Sequence, residues 1–181
     1  MQQPNSYTRT TIGLHWLIAF ALLATFSLGL YMSDLSLSPE KLRLYAWHKW
    51  AGVTIFLLVI FRLFWRLTHR PPPLPTVMHA WERIAAVSLH GILYFLMVAI
   101  PISGWLMSSA EGYQVVYFGV LPLPDLIAKN KALGEILTSV HVFLNFTMAG
   151  LVGLHIAATL KHYFWDRDDV LARMLPFLRK Q

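Results

Sequence analysis

Residues 140–155 read "VHVFLNFTMAGLVGLH", and this stretch lies inside an uncharged run from Ile136 to Leu160. A run of about 20 apolar residues is long enough to cross the hydrocarbon of a bilayer as a helix. Yet it holds His141 and His155, and an ionisable side chain at membrane depth is costly enough to call for a reason. Fourteen residues of α-helix rise about 21 Å and turn about 1400°, returning to within roughly 40° of the starting face. The two imidazoles therefore point the same way from one helix at two depths.

The rest of the chain is of the same kind. Of its 181 residues 56% are hydrophobic and 13% charged, with a mean hydropathy of +0.52. Soluble domains sit near 45–50% apolar and 25% charged. Three further uncharged or sparsely charged runs, Ile12–Met32, Leu44–Leu67 and Ile84–Met107, bring the expected spans to four. Pro101 falls within the third, where a membrane helix tolerates it. The apolar part after "MQQPNSYTRTTIGLHW" is longer than the 7–15 residues of a signal-peptide core and no A-x-A-like site follows, so it is expected to remain as a span. The expectation is one all-α transmembrane unit, residues 1–181, with no separate soluble domain.

The connections differ in composition. "SDLSLSPEKLR" is short, and "THRPPPLPTVMHAWER" is proline-rich and expected to be extended. The third connection, 108–135, is long, and "PDLIAKNKALGEIL" within it reads as a short surface helix or lid. No internal repeat is visible. Ten Lys and Arg (Arg9, Arg62, Arg66, Arg70, Arg83, Lys161, Arg167, Arg173, Arg179, Lys180) fall on the side of the termini, against five (Lys41, Arg43, Lys49, Lys129, Lys131) on the other. The positive-inside rule places both termini in the cytoplasm. The net charge of +6 is thus used in orientation; the basic residues flank apolar runs without forming a stripe for nucleic acid.

With no cysteine, disulfides, iron–sulfur ligation and covalent haem attachment are excluded, and histidine is left as the main candidate ligand. His15 lies a short way in from the start of the first span and His48 a short way in from the start of the second. Their depths match His155 and His141 respectively. A lone membrane histidine can simply bond a carbonyl on a neighbouring helix, but two pairs at matched depths are the arrangement of bis-imidazole ligation of a b-type haem iron in a helical bundle. Met148 and Val152 lie on the stripe between the two histidines of the fourth span and read as packing. Gly13, Gly52, Ala149, Gly150, Gly153 and Ala157 are small positions near the ligands, which also serve plain helix packing.

Four further histidines fall toward the side of the termini. His90 is about as deep as His15 and His155; it is assigned to a propionate or quinone hydrogen bond, with ligation as the alternative. His162, seven residues beyond His155, reads as an alternative ligand, a quinone contact or a solvated interface residue, and Lys161 beside it is a further quinone or propionate candidate. His69 and His79 lie in the proline-rich connection and read as exposed. Arg62 and Arg66, one turn apart, suit the propionates of a haem, their plain alternative being membrane anchoring.

With these residues in place the sequence resembles the bacterial cytochrome b561 family, related to the cytochrome b subunits of hydrogenases and formate dehydrogenases. The resemblance runs almost end to end, through "GLHW" (13–16), "WHKWAG" (47–52), "SLHGILYFLMVAIPISGWLM" (88–107), the two histidines of the fourth span and "GLHIAATLKHYFWDRDDVLARMLP" (153–176). It implies a four-helix bundle of the bacterial inner membrane enclosing two non-covalent haems b, ligated by His15 and His155 and by His48 and His141. It further implies electron exchange with the quinone pool, in some members from superoxide, with His155, His90 and His162 as quinone candidates. The run "VFLNFTMAG" after His141 departs from the alanine- and glycine-rich stretch expected there. Lys41, Arg43 and Lys49 near His48 could steer an anion such as superoxide, offset by Asp34 and Glu40.

Alternatives of other classes are weaker. A haem-free transporter or scaffold should show inverted repeats or matching broken helices, and a metalloprotease should show H-E-x-x-H; neither is present. A haem subunit docked to a larger dehydrogenase, a periplasmic electron donor or acceptor and a second copy of the chain stay open as partners.

Overall fold

The structure is a computed structural model that describes residues 6–75 and 78–178; Arg179 and Lys180, counted above toward orientation, lie outside the described residues. Four helices form: α1 (Arg9–Asp34), α2 (Pro39–Thr68), α3 (Ala80–Glu111) and α4 (Lys131–Lys161). They run 26, 30, 32 and 31 residues. At 1.5 Å per residue they are about 39–48 Å long, against about 30 Å of hydrocarbon. Each therefore reaches past the apolar run that predicts it, because its stop signals sit in the polar flanks.

Those signals are local. Thr8 Oγ1 accepts from the Thr11 N–H at 3.2 Å, Ser38 Oγ from Lys41 at 3.1 Å with Pro39 at the first helical position, and Asn130 Oδ1 from Leu133 at 3.1 Å. Each caps a donor that the helix itself cannot satisfy. At the start of α3 the Glu82 carboxylate accepts the His79 N–H at 3.1 Å. α3 passes through Pro101 unbroken and stops at Gly112, whose φ of 80° is the left-handed conformation glycine adopts freely.

One expectation for the connections is revised. "PDLIAKNKALGEIL" is not a separate helix: residues 131 onward are the first turns of α4, begun by the Asn130 cap. The same connection instead carries a hairpin, β1 (Val116–Tyr117) and β2 (Leu121–Pro122), in antiparallel register with Tyr117 opposite Leu121. Its turn uses Phe118 (φ 50°) and Gly119 (φ 72°). Trp50 Nε1 donates to Val116 O at 2.7 Å, and Thr54 Oγ1, which gives its own proton to Trp50 O, accepts from the Tyr117 hydroxyl at 2.9 Å, pinning the hairpin to α2. At the opposite end α4 leads into a π-helical turn (His162–Asp166) and short 3₁₀ turns (Leu171–Arg173, Pro176–Leu178). This tail is tied down by Trp16 Nε1 to Met174 O at 2.9 Å and by Arg173 Nη1 to Pro73 O at 2.6 Å. We call the end bearing both termini inner and the hairpin end outer.

α3 packs on α4, α1 on α2 and α2 on α3. The core is a mid-height cluster of Ile18, Ile55, Val59, Leu96, Ile100 and Met148 with neighbours, and Val152 packs against it. Leu23, Phe64, Phe95 and Phe143 are more than 60% exposed on the outside of the helices. An apolar exterior of this extent is what lipid solvates. Ile18→Ala should cost about 2–5 kcal/mol in thermal unfolding of the detergent-solubilised protein, whereas Leu23→Ala on the lipid face should cost less than about 1 kcal/mol. Equal effects would contradict this division of core and exterior.

Candidate functional site

Above and below that apolar cluster the histidines meet in two layers. In the outer layer His48 of α2 faces His141 of α4 with ring centroids 6.3 Å apart and planes at 79°. In the inner layer His15 of α1 faces His155 of α4, also at 6.3 Å, with planes at 67°. His90 of α3 is the third ring of the inner layer, 5.2 Å from His155. A metal–imidazole bond of about 2.0–2.1 Å on each side, plus the distance from nitrogen to ring centre, puts two rings that share one iron at roughly 6.2–6.4 Å between centroids. Both 6.3 Å pairs meet that spacing; the His90–His155 pair falls about 1 Å short of it.

Hydrogen bonds to the ring nitrogens decide which lone pairs are open. The Ser103 hydroxyl has one proton and gives it to Ile100 O at 2.7 Å, so at 2.9 Å from His141 Nδ1 its oxygen must accept. His141 therefore carries its proton on Nδ1 and presents Nε2 as a lone pair, the disposition that orients a metal-ligating imidazole. His90 is held similarly, its Nδ1–H donating to Ala86 O at 2.6 Å. His48 Nδ1 is buried without a hydrogen-bond partner among the described residues. His15 differs: Arg62 Nη2 lies 3.2 Å from its Nδ1, and a guanidinium can only donate.

Close packing holds the outer rings. A Cβ on Gly104 would stand 3.0 Å from His141 Cε1, and one on Gly29 would stand 3.1 Å from His48 Cε1. Neither glycine, nor Ser103, stood out in the sequence, because each acts through a helix far away in the chain. The two outer rings open on a cavity lined by Thr25, Phe26, Gly52, Pro101 and Asn145. Asn145, the polar residue in the run "VFLNFTMAG", donates to His141 O at 2.8 Å from one turn away.

The inner layer is bordered by positive charge. The Arg62 and Arg66 guanidinium carbons lie 5.5 and 5.6 Å from the Tyr94 ring centre. Neither has a carboxylate partner among the described residues, and Arg62 Nε is buried with no hydrogen bond. Burial pushes the nearby Tyr7 phenol above its usual value against the opposing charges of Arg66, Arg173 and Arg62, so it stays neutral at physiological pH. Unpaired guanidinium groups beside a neutral phenol accommodate anionic oxygens such as propionates.

His162 and Lys161 are engaged elsewhere. His162 Nδ1 contacts Asp168 Oδ2 at 2.7 Å and Asp166 Oδ2 at 3.0 Å, while Lys161 Nζ bridges Glu82 at 2.6 Å and Asp166 at 2.7 Å. Neither hydrogen-bonds an inner histidine among the described residues. His69 stacks on Trp65 at 3.9 Å and 6°, so it is exposed but not idle.

A family model described as prokaryotic cytochrome b561 matches residues 6–177. The chain belongs to that family. Cytochrome b561 homolog 2 of Escherichia coli (strain K12) is 34% identical over 180 residues, covering 95% of this chain and 92% of the relative. The probable superoxide oxidase CybB of Yersinia pestis is 26% identical over 173 residues (95% and 97% covered), and cytochrome b561 homolog 1 of E. coli 24% over 176 (95% and 98%). As a prokaryotic cytochrome b561 the chain is a multi-pass bacterial membrane protein of a haem b family that carries electrons. The two 6.3 Å pairs, the lone pair of His141 and two guanidinium groups without a carboxylate partner among the described residues fit the residues to haem, while Arg62 donates to His15 Nδ1 and holds that ring in the other tautomer.

Gly104→Val places branched carbon against the His141 ring and should lower haem b per purified chain, read from pyridine haemochrome absorbance. Unchanged haem content would show that this contact does not hold the ring in place.

Proposed function

We propose that the protein is a di-haem electron carrier of the inner membrane. His15 and His155 ligate the inner haem, His48 and His141 the outer one, and electrons pass between a periplasmic partner and the quinone pool. Both termini then lie in the cytoplasm, as the ten-to-five distribution of Lys and Arg favours. The observation that carries this reading is the recurrence of one imidazole spacing, 6.3 Å, at two depths of one helix.

Haem supplies one-electron chemistry when bound; the protein supplies ligation, orientation and charge. Ser103 keeps His141 in the tautomer that offers Nε2. His15 can offer Nε2 only if Nδ1 carries the ring proton, so Arg62 has to leave Nδ1, and its guanidinium, with that of Arg66, is then available to a propionate. His90 takes a supporting place: its distance from His155 is short for a shared iron and suits a ring that braces His155 and receives a hydrogen bond at Nε2. On the cytoplasmic surface Asp168 fixes His162 through Nδ1, leaving Nε2 to hold or pass the proton that quinone reduction requires. Lys161, tied to Glu82 and Asp166, fixes the position of the turn that carries His162.

The likeness to a protein named probable superoxide oxidase favours superoxide as one electron source, and Lys49, which donates to Tyr113 O at 3.2 Å, places a cation on the outer side near His48. The other reading, a haem subunit of a larger dehydrogenase, predicts a co-purifying partner.

A dithionite-reduced minus oxidised spectrum should give about two haems b per chain by this reading. His48→Ala and His141→Ala should each remove the same haem, and His15→Ala and His155→Ala the other. One haem per chain, or members of a pair that remove different haems, would overturn the assignment.

A further inference from the structure

On the inner face, one helical turn before His15, a second cavity of about 300 Å³ opens between the segment entering α1 and the end of α2. That volume is at the lower end of the range for small-molecule sites, about 300–1,000 Å³. One wall is Ser6, Tyr7, Thr8 and Thr11; the other is Thr68, His69 and Arg70. No carboxylate lines it among the described residues.

The hydrogen bonds leave this cavity rich in donors. Thr8 Oγ1 accepts from the Thr11 N–H at 3.2 Å and from Trp65 Nε1 at 3.4 Å, which uses both of its lone pairs. Its own proton therefore goes to Thr11 Oγ1, 2.9 Å away, and the proton of Thr11 is left uncommitted at the cavity wall. Arg70 lines the same cavity, is exposed and has no carboxylate partner among the described residues, so its guanidinium can donate to a ligand held there. Such a set selects an anionic oxygen ligand, phosphate above all.

The surroundings say what the phosphate is attached to. Phe64 and Phe61, four and seven residues before Thr68, share its face of α2 and are 63% and 47% exposed; neighbouring Leu67 is 81% exposed. The polar cavity thus sits at the head-group end of a lipid-facing apolar stripe, beside Trp65 and Arg66, residue types that mark the membrane interface. We propose that the cavity between residues 6–11 and 68–70 binds the phosphate of an anionic phospholipid, whose acyl chain runs down the Phe64–Phe61 face. A zwitterionic lipid would bring its own cation next to Arg70, so phosphatidylglycerol should be preferred to phosphatidylcholine.

Native mass spectrometry of the full-length haem-loaded protein in detergent tests this, using phosphatidylglycerol and phosphatidylcholine of matched chains. The expected result is an adduct with the former that survives delipidating activation, reduced at least about tenfold by Arg70→Ala and lowered by Thr11→Val, with haem content unchanged. Arg43→Ala on the opposite face should leave it intact. Equal retention of the two lipids, or full retention in both cavity variants, would overturn the proposal. Displacement of the lipid by an equal concentration of inorganic phosphate would overturn the lipid assignment, since it would show that the acyl chain adds nothing.

Discussion

The structure turns on the meeting of imidazoles across the bundle. An apolar helix that keeps two histidines at membrane depth has to find partners for them there, since an unsatisfied polar group in hydrocarbon costs several kcal/mol. α4 meets this twice, with His155 opposite His15 and His141 opposite His48. The apolar cluster around Ile18, Ile55, Val59 and Met148 fills the height between, which holds the layers apart and lets each be read as a separate site.

The layers differ in electrostatic setting, and the difference follows from side-chain chemistry. In the cavity of the outer pair the polar groups are neutral: Ser103 sets the His141 tautomer, and Asn145 and Thr25 line the wall. Around the inner pair stand Arg62 and Arg66, flanking Tyr94, with a third imidazole in His90. Fixed positive charge favours the electron-rich form of a nearby redox centre, so by the proposed reading an electron arriving at the outer haem is drawn inward. His162, oriented by Asp168, lies beyond that inner layer, where a proton would be wanted.

Much of this was legible in the sequence because helix geometry is regular. The 14-residue spacing of His141 and His155, and the positions of His15 and His48 near span starts, fix depth, and depth narrows the meeting to one outer pair and three inner rings. The four spans were visible for the same reason, while their ends were not: Ser38, Asn130 and Gly112 stop the helices outside the apolar runs. The hairpin at 116–122 escaped notice because strands of two residues show no alternation, and "KALGE" reads as surface although it opens α4. Gly29, Gly104 and Ser103 were illegible for a different reason. Their role lies in contact with a ring contributed by another helix, at sequence separations that no local pattern records. His90 is a third inner candidate by depth; its ring stands 5.2 Å from His155, against 6.3 Å for His15.

By the proposed reading each layer holds one iron between two imidazoles. The ring planes cross at 67° and 79°, and strongly crossed axial imidazoles give ferric haem a highly anisotropic low-spin signal. Low-temperature electron paramagnetic resonance of the oxidised, haem-loaded protein should therefore show two such low-spin species and no high-spin haem. A high-spin signal, or a single low-spin species accounting for all the iron, would contradict the account.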